Sequence, residues 1–170
     1  MNAKRALLIL VSFLLGILFG NYSKIAYENL VFYAYTWEKP PAIVNCYGAD
    51  FEEEQLIRAI EYWEHKGHHI SFHEMKPVSE ICDKTHLDGF IFLRKAKPNS
   101  LEDHTLAATT RRTRSGTMIS ASVHFSPGAQ NLTNIIEHEL GHAFGYGHVD
   151  ITGHIMHSEY DKMGISFWVP

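Results

Sequence analysis

The chain has 170 residues, of which 45% are hydrophobic and 20% charged, and this length allows one domain with a proper hydrophobic core. Its formal net charge is −4 and its pI about 6.3, and neither value points to a nucleic acid or an anionic membrane surface as partner. We therefore expect one globular domain whose partner is neither a nucleic acid nor an anionic membrane surface. We also expect the chain to be a monomer.

The N-terminus carries a basic pair followed by an apolar run. Lys4 and Arg5 precede residues 6–20, fifteen positions among which Ser12 is the only polar one. This pattern predicts that residues 1–23 are a signal peptide or an uncleaved membrane anchor, and the two remain open because no clear small-residue cleavage site follows. Since the positive end precedes the apolar run, the rest of the chain is expected to be exported, either anchored outside the cytosol or secreted.

Residues 24–41 are expected to form a connector that ends at Pro40 and Pro41. The connector is rich in aromatic residues. A segment of this kind sits either at a membrane interface or against the domain that follows it, and both options stay open. We place the globular domain at 42–170. The aromatic residues in the connector and just before it are Tyr22, Tyr27, Phe32, Tyr33, Tyr35 and Trp37.

The domain begins with a predicted strand at 42–47 and a predicted helix after it. Asp50 is the expected N-cap of that helix, with Glu53 as its capping-box partner. Gly67 marks the end of the helix. Strands are expected at 70–75, where apolar and polar residues alternate, and at 88–94, which is strongly apolar. The apolar positions that recur at helical spacing are Leu56, Ile57, Ile60 and Trp63.

A β-hairpin is predicted next, with arms at 106–112 and 117–125 around Arg114, Ser115 and Gly116. The second arm alternates between two sets of side chains, one of which includes Ile119, Ala121, Val123 and Phe125. A helix is expected to follow the hairpin, capped by Asn131 or Thr133. Its apolar side includes Ile135, Ile136, Leu140 and Phe144.

That last helix carries the most informative pattern of the chain, HExxHxxGxxH, formed by His138, Glu139, His142, Gly145 and His148. Residues i and i+4 share one helix face, so the first two imidazoles meet at one point. The glutamate projects beside that point, where it is suited to act as a general base. The glycine permits the turn that returns the third histidine, and three protein ligands leave one position open, as in a catalytic zinc site.

This segment resembles the zinc-binding signature of the metzincin metallopeptidases. That family has a methionine in a tight turn beneath the zinc, and Met156 follows His148 by eight residues. The run around Met156 is most similar to the matrixin branch, in which a tyrosine follows four residues later, here Tyr160. His157 and Ser158 depart from the Tyr-Pro that matrixins usually carry there.

The resemblance implies an α/β (α+β) zincin fold. It consists of a twisted mixed sheet with an antiparallel edge strand, two main helices and a small C-terminal subdomain with the Met-turn. It implies one catalytic Zn²⁺ held by the histidines and a peptide or protein substrate bound along the edge strand, at Leu106, Ala107 and Ala108. By the same resemblance, Tyr160 shapes the specificity pocket. Alternatively, the segment at 106–112 is a plain edge strand guarded by Arg111, Arg112 and Arg114.

The predicted activity is zinc-dependent endopeptidase hydrolysis, with Glu139 as general base toward a zinc-activated water. Two alternatives use the same residues: a zinc hydrolase of cell-wall peptide crosslinks, and a zinc-binding module without activity. An intact Glu139 argues against the module, which has no need of a base.

Cys46 and Cys82 are the two cysteines of the chain. In an exported protein an even pair suggests one disulfide, here between the first strand of the domain and the loop after the second.

Overall fold

The computed structural model describes residues 36–168. The predicted signal peptide or anchor (1–23) and the first part of the connector (24–35) lie outside the described residues. Within the described part of the chain, no helix is long and apolar enough to cross a membrane.

Six strands form one sheet in the order β1-β6-β4-β2-β3. The pairs along this path are parallel, while β5 pairs antiparallel with β6, on the side that β4 leaves open. The strands are β1 (Thr36–Trp37), β2 (Ala42–Cys46), β3 (Phe72–Glu74), β4 (Phe90–Lys95), β5 (Ala107–Arg114) and β6 (Thr117–Phe125).

Three α-helices accompany the sheet: α1 (Glu53–Glu64), α2 (Ser79–Cys82) and α3 (Ile135–Ala143). There are also two short 3-10 helices: Ala129–Asn131 precedes α3 in the chain, and Tyr160–Lys162 follows it. The mixed α/β content agrees with the predicted fold class. Residues of α1, α3 and one face of the sheet share a single core, whose fully buried side chains include Ile43, Leu56, Trp63, Ile91, Leu93, Val123, Leu140 and Met156.

The helix starts differ from those predicted. The N-cap of α1 is Glu52, not Asp50, and that of α3 is Asn134, not Asn131 or Thr133; neither N-cap side chain makes a capping hydrogen bond. Asp50 lies in a turn, and its carbonyl accepts a hydrogen bond from Gln130 (3.4 Å). Asn134 adopts the left-handed conformation, with φ of 64°, which asparagine tolerates better than most residues.

The predicted hairpin is confirmed, with β5 and β6 joined by Ser115 and Gly116. Both turn residues have positive φ, 51° and 79°, as a two-residue turn between twisted antiparallel strands requires. The register shifts once, between Arg112 and Thr113. The hairpin therefore fixes β5 against β6 along eight residues.

Cys46 and Cys82 form a disulfide, with Cα atoms 5.5 Å apart, so the pairing predicted from the sequence is present. It joins the end of β2 to α2. The side chain of Arg94 on β4 donates hydrogen bonds to the carbonyls of Cys82 (2.7 Å) and Lys84 (2.5 Å). The short helix is thus held to the sheet by a covalent link and by two hydrogen bonds.

Candidate metal centre

Helix α3 presents His138 and His142 to one point, and the chain behind it returns His148. The helix ends in a Schellman motif: Gly145, with φ of 103°, donates to the carbonyl of His142 (3.0 Å), and Tyr146 donates to the carbonyl of Gly141 (3.0 Å). This turn reverses the chain. As a result, the Nε2 atoms of His142 and His148 lie 3.1 Å apart.

Backbone carbonyls orient two of the three imidazoles. His138 donates from Nδ1 to the carbonyl of Ile155 (2.8 Å), and His142 donates from Nδ1 to the carbonyl of Tyr146 (2.8 Å). Because a carbonyl can only accept, Nδ1 of each ring carries the hydrogen and Nε2 keeps a free lone pair. Such an outer hydrogen bond is the usual way in which a protein fixes a metal-binding histidine.

The three imidazoles are held in the neutral form that a metal requires. The pKa of His138 is lowered to about 4 and that of His142 to about 3, chiefly by burial; nearby histidines add to the lowering, and the bonds to the carbonyls oppose it. Burial also lowers the pKa of His148. At neutral pH all three rings therefore offer lone pairs rather than positive charge.

One ligand atom from each of these histidines lies within 4.8 Å of the others, which is close enough for a single metal ion. Among residues 36–168 this is the one group of three or more His, Cys, Asp or Glu side chains with such spacing. Imidazole ligands suit zinc and several other divalent transition metals, so the donor set defines a metal site but not which metal it binds.

Glu139 lies beside this point, as its place in the helix predicts. Its side chain is buried, and its Oε2 accepts a hydrogen bond of 2.5 Å from the hydroxyl of Thr109 on β5. Burial raises the pKa of Glu139 to about 7, and the bond from Thr109 opposes that rise. A carboxyl group with such a pKa can take up and release a proton near neutral pH.

Met156 lies beneath the helix, in a turn closed by a hydrogen bond from His157 N–H to the carbonyl of His154 (3.1 Å). Its side chain is fully buried and packs against Gly141. A Cβ on Gly141 would overlap Sδ of Met156 and lie 2.6 Å from Cζ2 of Trp63. Gly141, which lies between His138 and His142, therefore lets the Met156 turn and helix α1 approach α3 closely.

The metal point opens into a cleft of about 810 Å³. Leu106, Ala107 and Ala108 line it from the β5 side, and Tyr160 lines it from the C-terminal side. The structure thus brings all the predicted substrate-binding residues to the same cleft as the histidines. Arg111, which the sequence had offered as a guard of the edge, also lines the cleft, and its guanidinium donates to the carbonyl of His142 (3.4 Å).

Sequence reasoning missed several residues that shape this centre. From sequence alone, Thr109 is only one position of the predicted edge strand, and its contact with Glu139 spans thirty residues of sequence. Tyr146 and Ile155 act through their carbonyls, which no side-chain pattern reveals. Trp63 was predicted only as a core residue, yet its indole N–H donates to the carbonyl of Glu137 in the turn of α3 before His138 (2.7 Å).

The last residues of the predicted connector also reach this helix. Trp37 lies on β1, and its indole N–H donates to the carbonyl of Ala143 at the end of α3 (2.9 Å). Of the two placements that the sequence left open, this residue takes the one against the domain.

Comparisons with known proteins add no assignment: no family model matches the chain, and no curated protein or solved structure does so either.

Proposed function

We propose that this protein is a zinc-dependent endopeptidase of the metzincin type. The observation that carries the proposal is the meeting of His138, His142 and His148 at one point beside a buried glutamate, in a cleft bordered by an edge strand. A module that only stored zinc would gain nothing from a buried carboxylate at that place, since burial of such a group costs free energy.

We take the metal of this proposed site to be zinc. Three neutral imidazoles with room for a fourth ligand are typical of catalytic zinc sites. When bound, zinc supplies a Lewis acid that polarises a carbonyl oxygen and acidifies water.

Glu139 is the proton carrier of the proposed reaction. Its carboxylate accepts a proton from the attacking water, whose oxygen forms the new bond to the scissile carbonyl carbon. It then delivers that proton to the nitrogen of the leaving amine as the carbon–nitrogen bond breaks. Burial raises the pKa of the Glu139 carboxyl, which favours uptake of the proton from water.

Strand β5 offers the surface for an extended peptide. It pairs with β6 along one side, and among the described strands it has no second neighbour. A peptide added to this free edge gains main-chain hydrogen bonds, as in other cases of strand addition. Leu106, Ala107 and Ala108 are small or partly buried residues at this edge, so a substrate backbone can approach the histidines closely. Across the cleft, Tyr160 contributes to the wall of the specificity pocket.

We also propose that the domain works outside the cytosol, anchored or secreted. The disulfide between Cys46 and Cys82 supports this, because such bonds persist in oxidising compartments. The basic and apolar residues at the N-terminus are in keeping with export.

The test combines metal analysis with one variant. Purified full-length protein is expected to hold one zinc ion and to hydrolyse casein; Glu139→Gln should retain the zinc and lose at least about 100-fold in rate. Glu54→Gln, which changes an exposed glutamate on α1, is the matched control and should hydrolyse normally. Normal hydrolysis by Glu139→Gln would show that the base is assigned wrongly.

A parallel assay with peptidoglycan separates the substrate classes. Cleavage of casein but not of peptidoglycan supports the endopeptidase, while the reverse result assigns the same zinc chemistry to cell-wall crosslinks. Zinc binding without hydrolysis of either would leave only the binding module.

A further inference from the structure

We infer that Thr109 is a positioning residue for Glu139, and that the edge strand thereby aims the base as well as holding the substrate. This inference rests on the proposed function, and it adds a residue outside the histidine motif to the machinery of that site.

The contact is short and sheltered. The Thr109 hydroxyl lies 2.5 Å from Oε2 of Glu139 and 3.3 Å from the backbone oxygen of the same residue. Glu139 is 3% exposed. In residues 36–168, the Thr109 hydroxyl is the one hydrogen-bond partner of this carboxylate. Without it, a buried carboxylate would have neither a donor to satisfy it nor a contact to fix its direction.

The hydroxyl has two acceptors within reach and one hydrogen to give. Oε2 of Glu139 is the nearer acceptor by 0.8 Å, the difference between 3.3 and 2.5 Å, so the hydroxyl donates chiefly to the carboxylate. Bonds to an ionised acceptor are also the stronger kind. With Oε2 held by the strand, Oε1 is the oxygen left to face the cleft that Glu139 lines.

The bond suits both protonation states that the reaction needs. When Glu139 is a carboxylate, Oε2 accepts from Thr109. When Oε1 has taken the proton from water, Oε2 becomes a carbonyl oxygen and still accepts. The side chain therefore need not rotate between accepting the proton and delivering it, and positional freedom is removed before the chemical step.

Thr109 owes its own position to the sheet. Its Cα lies opposite that of Val123 on β6, a residue of the buried core. The same strand carries Ala107 and Ala108, which line the cleft two and one residues earlier. A substrate backbone paired with β5 would thus be placed in register with the base through one rigid element, and a shift of the strand would disturb both together.

The test compares two substitutions of similar size. Thr109→Val keeps the branched shape and removes the hydroxyl, while Thr109→Ser keeps the hydroxyl and removes the methyl group. We expect the valine variant to lose about 10- to 100-fold in kcat with KM changed less than about 3-fold, and the serine variant to recover to within about 3-fold of the parent. Zinc content should be unchanged in both. Thr113→Val, an exposed hydroxyl on the same strand, is the control and should behave as the parent.

A structural role predicts the opposite order, because valine fills the space of threonine better than serine does. If Thr109→Val retained the kcat of the parent, or if Thr109→Ser were the more impaired variant, the inference would be overturned. Thr109→Ala supplies a second hydroxyl-free side chain should the valine variant not fold, and it must show the same loss of kcat. A parent protein that holds zinc but hydrolyses nothing would instead overturn the proposed function, so the two failures are distinguishable.

Discussion

Nε2 of the His68 imidazole lies 2.7 Å from the hydroxyl oxygen of Tyr146. The ring of His68 also stacks on Phe144, with centroids 4.5 Å apart, while the ring of Tyr146 stacks on Trp63 at 5.2 Å. Tyr146 is the residue whose carbonyl orients His142. A neutral histidine outside the metal centre therefore packs against the residue that orients one of the proposed ligands.

The first prediction concerns the pH dependence of stability through His68. Burial lowers its pKa to about 4 in the folded protein, with a further contribution from His69. Because the unfolded chain binds this proton near pH 6.5 and the folded protein does not, the contribution of His68 is fully present above pH 6.5. It is lost as the pH falls toward 4 and changes no further below that. The ring is partly exposed, so we expect about 1–2 kcal/mol rather than the full value of the shift.

Urea unfolding of the metal-free protein at pH 7 and pH 4.5 measures this term. The parent should lose about 1–2 kcal/mol more than His68→Gln over that range. His65→Gln, an exposed histidine at the end of α1, is the control and should follow the parent. Equal pH dependence of parent and His68→Gln would contradict the assignment.

The second prediction concerns the close approach at Gly141. A methyl group there would meet Met156 and Trp63 within distances that real side chains do not adopt. Gly141→Ala is expected to lower the free energy of unfolding by about 1–3 kcal/mol, since an overpacked core forces its neighbours to shift. Thermal unfolding checks this. The control is Gly147→Ala, where a Cβ would meet nothing within 4 Å, and a melting temperature equally lowered in both variants would refute the packing argument.

The third prediction concerns the disulfide. Cys46 and Cys82 are 36 residues apart, and a loop of this length corresponds to about 4 kcal/mol of stabilisation through restriction of the unfolded chain. The double variant Cys46→Ala, Cys82→Ala should unfold at a correspondingly lower urea concentration. Dithiothreitol should destabilise the parent and leave the double variant unchanged. A parent whose midpoint did not respond to the reductant would show that the bond contributes little.

The fourth prediction concerns removal of the metal. A ligand that binds only the folded state stabilises it by RT ln(1 + [L]/Kd), where [L] is the free ligand concentration. This is about 3 kcal/mol when [L] is one hundred times Kd. Chelation should therefore lower the melting temperature of the parent, and zinc should restore it. His148→Ala, which removes one of the three ligands, should respond far less to either treatment. If the variant responded as strongly as the parent, the metal would have to bind elsewhere.

Periodicity and spacing predicted the elements that carry their own local signal. The alternation along 117–125 and the Ser115–Gly116 turn gave the hairpin, and the histidine spacing gave the face of α3 on which His138 and His142 meet. The turn at Gly145 followed from the freedom of glycine at positive φ, and the disulfide followed from the count of cysteines. The hairpin, the histidine face and the Gly145 turn each depend on residues a few positions apart. The disulfide depends on there being no third cysteine with which Cys46 or Cys82 could pair.

The helix starts and the supports of the site were less accessible. Asp50 has the right chemistry for an N-cap, but it lies in a turn before the helix, where its carbonyl contacts Gln130, eighty residues away. The carbonyl of Ile155 and the hydroxyl of Thr109 reach the site only because the turn and the sheet bring them there. Such contacts depend on tertiary placement, which neither propensity nor spacing encodes.

The proposed ligands and the partner of the base differ in how far they are spread along the chain. His138, His142 and His148 lie within eleven residues, so one helix and one turn are enough to gather them. Thr109 reaches Glu139 only after the hairpin has docked against α3. Under the proposed function, zinc retention therefore tests the arrangement of the three histidines in the folded protein, whereas hydrolysis tests in addition the docking of the hairpin against α3. The proposal thus predicts that a preparation fully loaded with zinc can be catalytically incompetent, so that its specific activity is the stricter criterion of correct folding.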